Sequence, residues 1–144
     1  MKILRYEIGG KADYGIVKED DSVHELVGSV FEKLSIGRRV ASLNEVQILA
    51  PVAPSKIICV GLNYVAHIRE SAAETPEIPM LFMKPRTTVI AHEQPIVYPI
   101  EGKVVHFEGE LTVVIGKKAR RIARDNALDY VLGYTCGNDV SERV

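Results

Sequence analysis

The chain of 144 residues is long enough for one domain of ordinary size with a hydrophobic core. Hydrophobic residues make up 47% and charged residues 26%, which excludes a disordered chain, and the formal net charge of -1 argues against a nucleic-acid-binding surface, although local basic clusters could bind a small anion. No apolar run approaches the roughly 20 residues of a membrane-spanning helix, and the N-terminus lacks the apolar segment of a signal peptide. We therefore expect a soluble, cytoplasmic protein that binds neither nucleic acid nor a membrane.

The first fifty residues alternate apolar and polar side chains between turn residues, which is typical of a small antiparallel sheet. The alternation predicts strands over 2–8, 14–17 and 23–27. Ser42 with Glu45 three residues later predicts a capping box at the start of a short helical turn.

Two prolines, Pro51 and Pro54, fix an extended segment that suits neither a helix nor a central strand. We therefore predict a domain boundary here, with a small β-rich module in residues 1–50 and a second region in residues 51–144.

The second region shows the patterns of several short elements separated by polar or proline-bearing loops. They predict strands over 56–62, 80–83, 104–116 and 134–137 and helices over 63–71 and 125–131, the last helix ending at Gly133. Cys59 and Cys136 lack metal-ligand spacing and have apolar neighbours, so we expect two reduced thiols in the core.

The predicted strand 104–116 carries two glutamates two residues apart. Side chains at this spacing share one face, so Glu108 and Glu110 are expected on one face, with Leu111 and Val113 on the other, against the core. Two like charges this close repel unless a positive group lies between them, and a divalent cation would serve. The alternative is a sheet edge whose glutamates simply face water.

Other candidate residues lie at the ends of the predicted elements. His67 and Glu70 are three apart in a predicted helix, so they could pair and form a general base, or be an ordinary surface pair. Lys84, at a strand end, could anchor an anionic substrate group or only extend to solvent. Asp139 is a third carboxylate at a strand end, a common position for a site residue.

Four segments together resemble the fumarylacetoacetate hydrolase family in sequence, order and spacing. They are KIICVGLNYVAHIRE (56–70), LFMKP (81–85), FEGELTVVIG (107–116) and VLGYTCGNDVSER (131–143). The resemblance covers the chain from Pro51 onward, and the first fifty residues are similar to the small domain that precedes the catalytic domain in some prokaryotic members. It implies an α+β, mostly β fold: a small N-terminal β module followed by the first part of a mixed β-sandwich roll.

The resemblance also implies a metal centre. In the family, two glutamates of an E-x-E strand and a later aspartate bind one divalent cation, and here these residues are Glu108, Glu110 and Asp139. The expected cation is Mg²⁺ or Mn²⁺, since a ligand set of oxygen atoms favours a hard cation over zinc.

Four further residues receive roles from the same resemblance. His67 and Glu70 would be the catalytic dyad that activates water or moves a proton, while Lys84 and Arg143 would bind substrate oxygens. The implied substrates are short 2-oxo acids or their enols, which react by C–C bond hydrolysis, decarboxylation or isomerisation through a metal-stabilised enolate. The nearest expected activities are those of a 2-hydroxyhepta-2,4-diene-1,7-dioate isomerase or an acylpyruvate hydrolase, in a homodimer or higher oligomer.

Two other functional classes stay open. The chain stops at Val144, directly after the third carboxylate, whereas the family's catalytic domain continues, so a non-catalytic fragment or assembly module is an alternative to an enzyme. Metal-dependent phosphoryl transfer is the other, although no glycine-rich phosphate loop supports it.

Overall fold

The computed structural model describes residues 1–143 and is mostly β, with 44% of residues in strands and 13% in helices. This content confirms the predicted α+β, mostly β fold class. Within the described residues, no helix has the length and apolar character needed to cross a membrane.

The first fifty residues form one antiparallel sheet with the strand order β4-β3-β2-β1-β5. Its strands are β1 (Lys2–Ile8), β2 (Lys11–Val17), β3 (Ser22–Gly28), β4 (Leu34–Ser42) and β5 (Gln47–Ile48). A short 3₁₀ helix, Leu43–Glu45, precedes β5 and begins with the predicted capping box. Leu4, Tyr6 and Val23 are buried together at the centre of this sheet module, where β1 and β3 lie on either side of β2.

Strands β4 and β5 were not predicted from the alternation pattern, and β4 is the longer of the two. Its sequence, LSIGRRVAS, places a glycine and two arginines in the middle of the strand, so apolar and polar residues do not alternate. The pairing of β3 with β4 also shifts register on both sides of His24. A β-bulge of this kind breaks the period of two on which strand prediction rests.

The second region contains three two-stranded antiparallel ribbons and one α-helix. The ribbons pair β6 (Ile57–Gly61) with β7 (Met80–Lys84), β8 (Val104–His106) with β11 (Ser141–Arg143), and β9 (Gly109–Ile115) with β10 (Val131–Asn138). Helix α1 (Val65–Glu70) follows β6, and 3₁₀ helices span Arg86–Thr88 and Arg124–Tyr130.

The prediction of one continuous strand over 104–116 is wrong. The chain leaves β8 at His106 and enters β9 at Gly109, so two residues cross from one ribbon to another. The backbone of Glu108 belongs to neither strand ladder. Its N–H donates to the Asn138 side chain at 3.0 Å, and its carbonyl accepts from the Asp139 N–H at 2.9 Å. Glu108 and Glu110 therefore do not share a strand face.

The prediction of a helix over 125–131 is also wrong in type and in its end. The segment is a 3₁₀ helix that ends at Tyr130, and β10 runs straight through Gly133, which pairs with Val114. The Gly116 N–H donates to the Tyr130 carbonyl at 2.8 Å. This bond closes the β9–β10 ribbon at the point where the helix was expected to continue.

Burial in the second region differs most from expectation. Ile58 on β6 is 57% exposed and Leu111 on β9 is 65% exposed, although both were expected to face a core. Within residues 1–143 each ribbon has only two strands, so nothing in this part of the chain covers these faces. Both cysteines are free thiols as predicted, but Cys59 is half-buried and Cys136 is exposed, so neither is a core thiol.

Candidate functional site

The three residues predicted to be metal ligands lie on neighbouring stretches of backbone, where the β9–β10 and β8–β11 ribbons join. Glu108 occupies the crossing from β8 to β9, and Asp139 occupies the crossing from β10 to β11. The hydrogen bond between their backbones, at 2.9 Å, links the two crossings directly. Glu110 lies opposite Gly137 in the ladder, two residues before Asp139. Residues 29 to 31 positions apart in sequence are thus brought to one place by antiparallel pairing.

Lys84, the last residue of β7, contacts the third carboxylate. Its Nζ forms an ion pair with Asp139 Oδ1 and donates a hydrogen bond to the Val140 carbonyl at 2.8 Å. The side chains are well covered, since Lys84 is 25% and Asp139 11% exposed. Removal from water strengthens such a pair and makes it costly to break. The lysine therefore faces the carboxylates and does not simply extend into solvent.

Arg143 makes the second ion pair of the site. Its Nη2 contacts Glu108 Oε1, joining β11 to the crossing that precedes β9. Both predicted substrate-binding cations thus lie beside predicted metal ligands. Two of the three carboxylates each have a cationic partner, which offsets the repulsion that three negative charges would otherwise create.

Cys59 is a neighbour of the site that sequence reasoning missed. It lies two residues after Ile57, the ladder partner of Lys84, so both side chains are on the same face of the β6–β7 ribbon. Burial raises the pKa of the Cys59 thiol, and the negative charge of Asp139 raises it further while Lys84 opposes the rise. Only the strand register, which composition does not give, could have revealed this position.

Asn63 and Tyr64 are also site residues that the sequence did not single out. The Asn63 side-chain N–H donates to Glu110 Oε2 at 3.3 Å, and the Leu111 N–H donates to the Tyr64 hydroxyl oxygen at 3.5 Å. Both residues lie between β6 and α1. Their place between a strand and a helix was the available signal, because polar residues at such junctions often face a site.

His67 and Glu70 lie on α1 and are exposed. In the part of the chain that the structure describes, no hydrogen bond or ion pair joins the two side chains. The His67 carbonyl caps the helix by accepting from the Ser71 N–H and hydroxyl. The dyad stays a prediction, with its two members on a helix that begins two residues after Asn63.

The donor chemistry of the site fits a hard divalent cation. Three carboxylates provide the oxygen ligands that Mg²⁺ and Mn²⁺ prefer. Over residues 1–143, however, no three His, Cys, Asp or Glu side chains are arranged around a common point. Two of the expected ligands face Lys84 and Arg143 instead, so these cations would have to share their carboxylates with a metal.

Two cavities lie away from these residues. One of about 250 Å³ is beside Tyr6 and Tyr14 in the sheet module. The other, of about 180 Å³, lies between the sheet module and the β9–β10 ribbon, with Ile3 and Tyr134 in its walls. Neither cavity is lined by a candidate site residue.

Family models match both parts of the chain. The model described as fumarylacetoacetate (FAA) hydrolase, C-terminal, matches residues 56–144, and one described as Rv2993c-like, N-terminal, matches residues 1–51.

Two relatives illustrate the range of similar proteins. An uncharacterized protein from Archaeoglobus fulgidus is 52% identical over 101 residues, which is 70% of this chain and 40% of that protein. The mitochondrial oxaloacetate tautomerase fahd2 of Xenopus laevis is 40% identical over 111 residues, covering 76% of this chain and 35% of the tautomerase. The chain thus spans well under half the length of these relatives.

Solved structures share the fold over nearly the whole chain. The 5-carboxymethyl-2-hydroxymuconate delta-isomerase from Mycobacterium smegmatis superposes with a TM-score of 0.87 at 35% identity, over 99% of this chain and 56% of the isomerase. Maleylpyruvate hydrolase from Sphingobium sp. SYK-6, a complex with manganese(II) and pyruvate, has a TM-score of 0.73 at 24% identity over 99% of this chain and 60% of the hydrolase, which is a likeness of fold. Because the C-terminal model covers more than half of its residues, this chain belongs to the fumarylacetoacetate hydrolase family.

Proposed function

We propose that this chain carries the metal-binding part of an enzyme that acts on short 2-oxo acids or their enols. The observation that carries the proposal is that Glu108, Glu110 and Asp139 lie on neighbouring backbone segments at the joined ends of two ribbons. Lys84 forms an ion pair with Asp139, and Arg143 forms one with Glu108. Carboxylates and cations that lie together at strand ends form a site for both a metal ion and an anion.

The metal would be held by Glu108, Glu110 and Asp139. Bound Mg²⁺ or Mn²⁺ would supply a Lewis acid that polarises a carbonyl and stabilises enolate charge. Three carboxylates and two cations leave one negative charge, which a dication would reverse to one positive charge. That sign favours an anionic ligand.

Lys84 and Arg143 are suited to bind the oxygens of such an anion. Lys84 offers a compact ammonium group with three donors, of which Asp139 and the Val140 carbonyl engage two. Arg143 offers a planar guanidinium that can bind a carboxylate through two parallel hydrogen bonds. Together they would orient a 2-oxo acid with its carbonyl toward the three carboxylates.

His67 and Glu70 would move the proton. A carboxylate next to an imidazole increases its basicity and fixes its orientation, as a general base requires. Both side chains are exposed on α1, whose start contacts β9 through Tyr64. The dyad would thus approach the substrate from the helix next to the strand that carries Glu110.

Isomerisation by proton transfer is the reaction that we favour. Two similar proteins bear the names oxaloacetate tautomerase and 5-carboxymethyl-2-hydroxymuconate delta-isomerase, and a third, from Mycobacterium marinum, is named 2-hydroxyhepta-2,4-diene-1,7-dioate isomerase. C–C bond hydrolysis of an acylpyruvate would use the same enolate and is the alternative outcome of the test below.

Manganese binding tests the metal centre directly. Titration with Mn²⁺ followed by electron paramagnetic resonance should show one site in the wild type, and Glu110→Gln should weaken it by at least about 100-fold, since loss of a residue that only supports a ligand costs 10–100-fold. Glu32→Gln is the matched control, because Glu32 is an exposed glutamate of the sheet module. Equal affinity in wild type and Glu110→Gln would reject the metal centre.

Turnover tests the reaction. Oxaloacetate enol, a 2-hydroxydienoate and an acylpyruvate should be compared with a phosphate ester, each with Mg²⁺. His67→Ala should abolish turnover of the 2-oxo compounds while Mn²⁺ affinity stays within about 3-fold, because the histidine is not a ligand. Turnover of the phosphate ester alone would replace the proposal with phosphoryl transfer.

A further inference from the structure

The junction between β6 and α1 contacts β9 through two consecutive side chains. Asn63 reaches Glu110 and Tyr64 reaches the neighbouring residue, Leu111, 47 positions away in each case. Both bonds use side-chain atoms of the junction, so a change in sequence there can remove each one separately.

The backbone of the junction has an unusual conformation at Leu62. Leu62 has a φ of 48°, in the left-handed region that residues other than glycine rarely adopt. Tyr64 follows as the extended residue before α1, with φ of -109° and ψ of 126°. Asn63 is thus placed between a tight turn and a helix start, which directs its side chain toward β9.

Asn63 differs from Lys84 and Arg143 in how it interacts with its carboxylate partner. Lys84 and Arg143 each bring a positive charge to Asp139 and Glu108. The Asn63 amide is neutral, so it orients Glu110 through Oε2 without offsetting its charge, and it leaves Oε1 for another partner. A carboxylate that is oriented by a neutral partner keeps its full charge for a metal ion, and residues that orient metal ligands in this way affect metal affinity.

We propose that Asn63 is a positioning residue for Glu110, and that the Asn63–Tyr64 junction couples helix α1, with His67 and Glu70, to strand β9. The part that concerns the metal rests on the proposed function. The coupling of helix to strand rests only on the two hydrogen bonds and is independent of it.

The coupling has a direct chemical consequence for the site. Tyr64 is the last residue before α1, so the bond that it accepts from the Leu111 N–H fixes the first turn of the helix against β9. The same two residues therefore set where the carboxylate lies and where the helix carrying the proposed proton-transfer groups begins.

The first arm of the test measures Mn²⁺ affinity. Asn63→Ala should weaken binding by about 10–100-fold, the usual effect of losing a residue that orients a metal ligand. Asn63→Gln keeps an amide donor and should recover part of the affinity. Asn44→Ala, which removes an exposed asparagine from the 3₁₀ helix of the sheet module, should change nothing. Wild-type affinity in Asn63→Ala would overturn the positioning role.

The second arm needs no metal and measures backbone hydrogen exchange. Asn63→Ala and Tyr64→Phe should each accelerate exchange both in α1 and at Leu111, while strands β1 to β3 stay as in the wild type. Acceleration at Leu111 alone in Tyr64→Phe would overturn the coupling through Tyr64. Acceleration in α1 alone would overturn the coupling, and so would a uniform increase that includes β1 to β3. If the wild type binds no Mn²⁺, the proposed function fails, and the exchange data still decide whether the junction couples helix and strand.

Discussion

The sheet module (residues 1–50) and the ribbon region (residues 51–143) hold their residues in place by different means. Among the described residues, nearly all buried apolar side chains belong to the module: Leu4, Tyr6, Ile16, Val23, Val30 and Ala41. The described part of the ribbon region has one, Ile68 on α1, and its strands expose many apolar side chains. What fixes the ribbons relative to one another near the site is instead polar: ion pairs, and a backbone bond between two crossings.

Because of this difference, the two regions should respond differently to substitution. Apolar packing is tolerant of the exact side chain as long as volume and pattern are kept. Charged contacts are not, because removing one partner leaves the other without compensation. Substitutions in the module should therefore lower the free energy of unfolding through lost packing, whereas substitutions near Asp139 should act through an unpaired charge, which also changes local geometry and binding.

The largest expected change in the free energy of unfolding comes from removing a buried side chain in the module. Ile16 on β2 is 2% exposed, and Ile16→Ala should lower the free energy of unfolding by about 2–5 kcal/mol, through lost burial and the cavity left behind. Ile58→Ala makes the same chemical change on β6, and its effect should stay within about 0.5 kcal/mol because that side chain is exposed. Urea unfolding followed by circular dichroism measures both. Equal losses would mean that the β6–β7 face is covered in solution, and the contrast between the regions would be wrong.

A smaller change in the free energy of unfolding is expected when the part-buried ion pair between Lys84 and Asp139 is removed. Lys84→Met keeps the length of the side chain but leaves Asp139 without its cation and the Val140 carbonyl without a donor, which should cost about 1–3 kcal/mol. Lys11→Met is the matched control in the module, where Nζ lies 3.8 Å from Asp13 Oδ2 and both side chains are exposed. Its effect should stay within about 0.5 kcal/mol.

The same urea titration measures both lysine variants, with hydrogen exchange at Val140 as a local probe. A loss for Lys84→Met no greater than that for Lys11→Met would show that the site is not held by this charge pair. Interactions other than this ion pair would then have to hold the ribbons in place.

The sheet module was predictable where its strands alternate regularly. The predicted strand 2–8 is found as β1, and 14–17 and 23–27 fall within β2 and β3, because each half-buried strand repeats its pattern every two residues. Strand β4 was missed because Gly37, Arg38 and a bulge near His24 interrupt the repeat. A sequence shows the period of a strand but not where a partner strand allows an extra residue.

The candidate site was predictable in residue type but not in contacts. Carboxylates at strand ends and a lysine at the end of an apolar strand are local signals. Which cation faces which carboxylate depends on the pairing of strands that are far apart in sequence, and Lys84 is 55 residues from Asp139. The position of Asn63 between a strand and a helix is a local signal, but its contact with Glu110 is not predictable from it, since that contact depends on a left-handed turn at Leu62.

The smallest expected effect concerns a polar contact within the module itself, the capping box before β5. The Ser42 N–H donates to Glu45 Oε2 at 2.6 Å, and this hydrogen bond holds the pKa of Glu45 below its ordinary value of 4.5. A carboxylate whose pKa is lower in the folded state stabilises the fold above its unfolded pKa. That contribution is lost as the pH falls from about 4.5 through the folded value.

Glu45→Gln should therefore lower the urea midpoint slightly at pH 7. The variant should also lose less stability than the wild type on acidification, so the urea midpoints of the two proteins should approach each other below pH 4.5. Both proteins should still lose some stability in acid, because hydrogen bonds from Ser22 also lower the pKa of Asp20. A constant difference from pH 7 to pH 3 would mean that ionisation of Glu45 does not contribute to the stability of the fold. The module would then depend on apolar packing even at its edge, and the contrast with the ribbon region would be sharper than the capping box suggests.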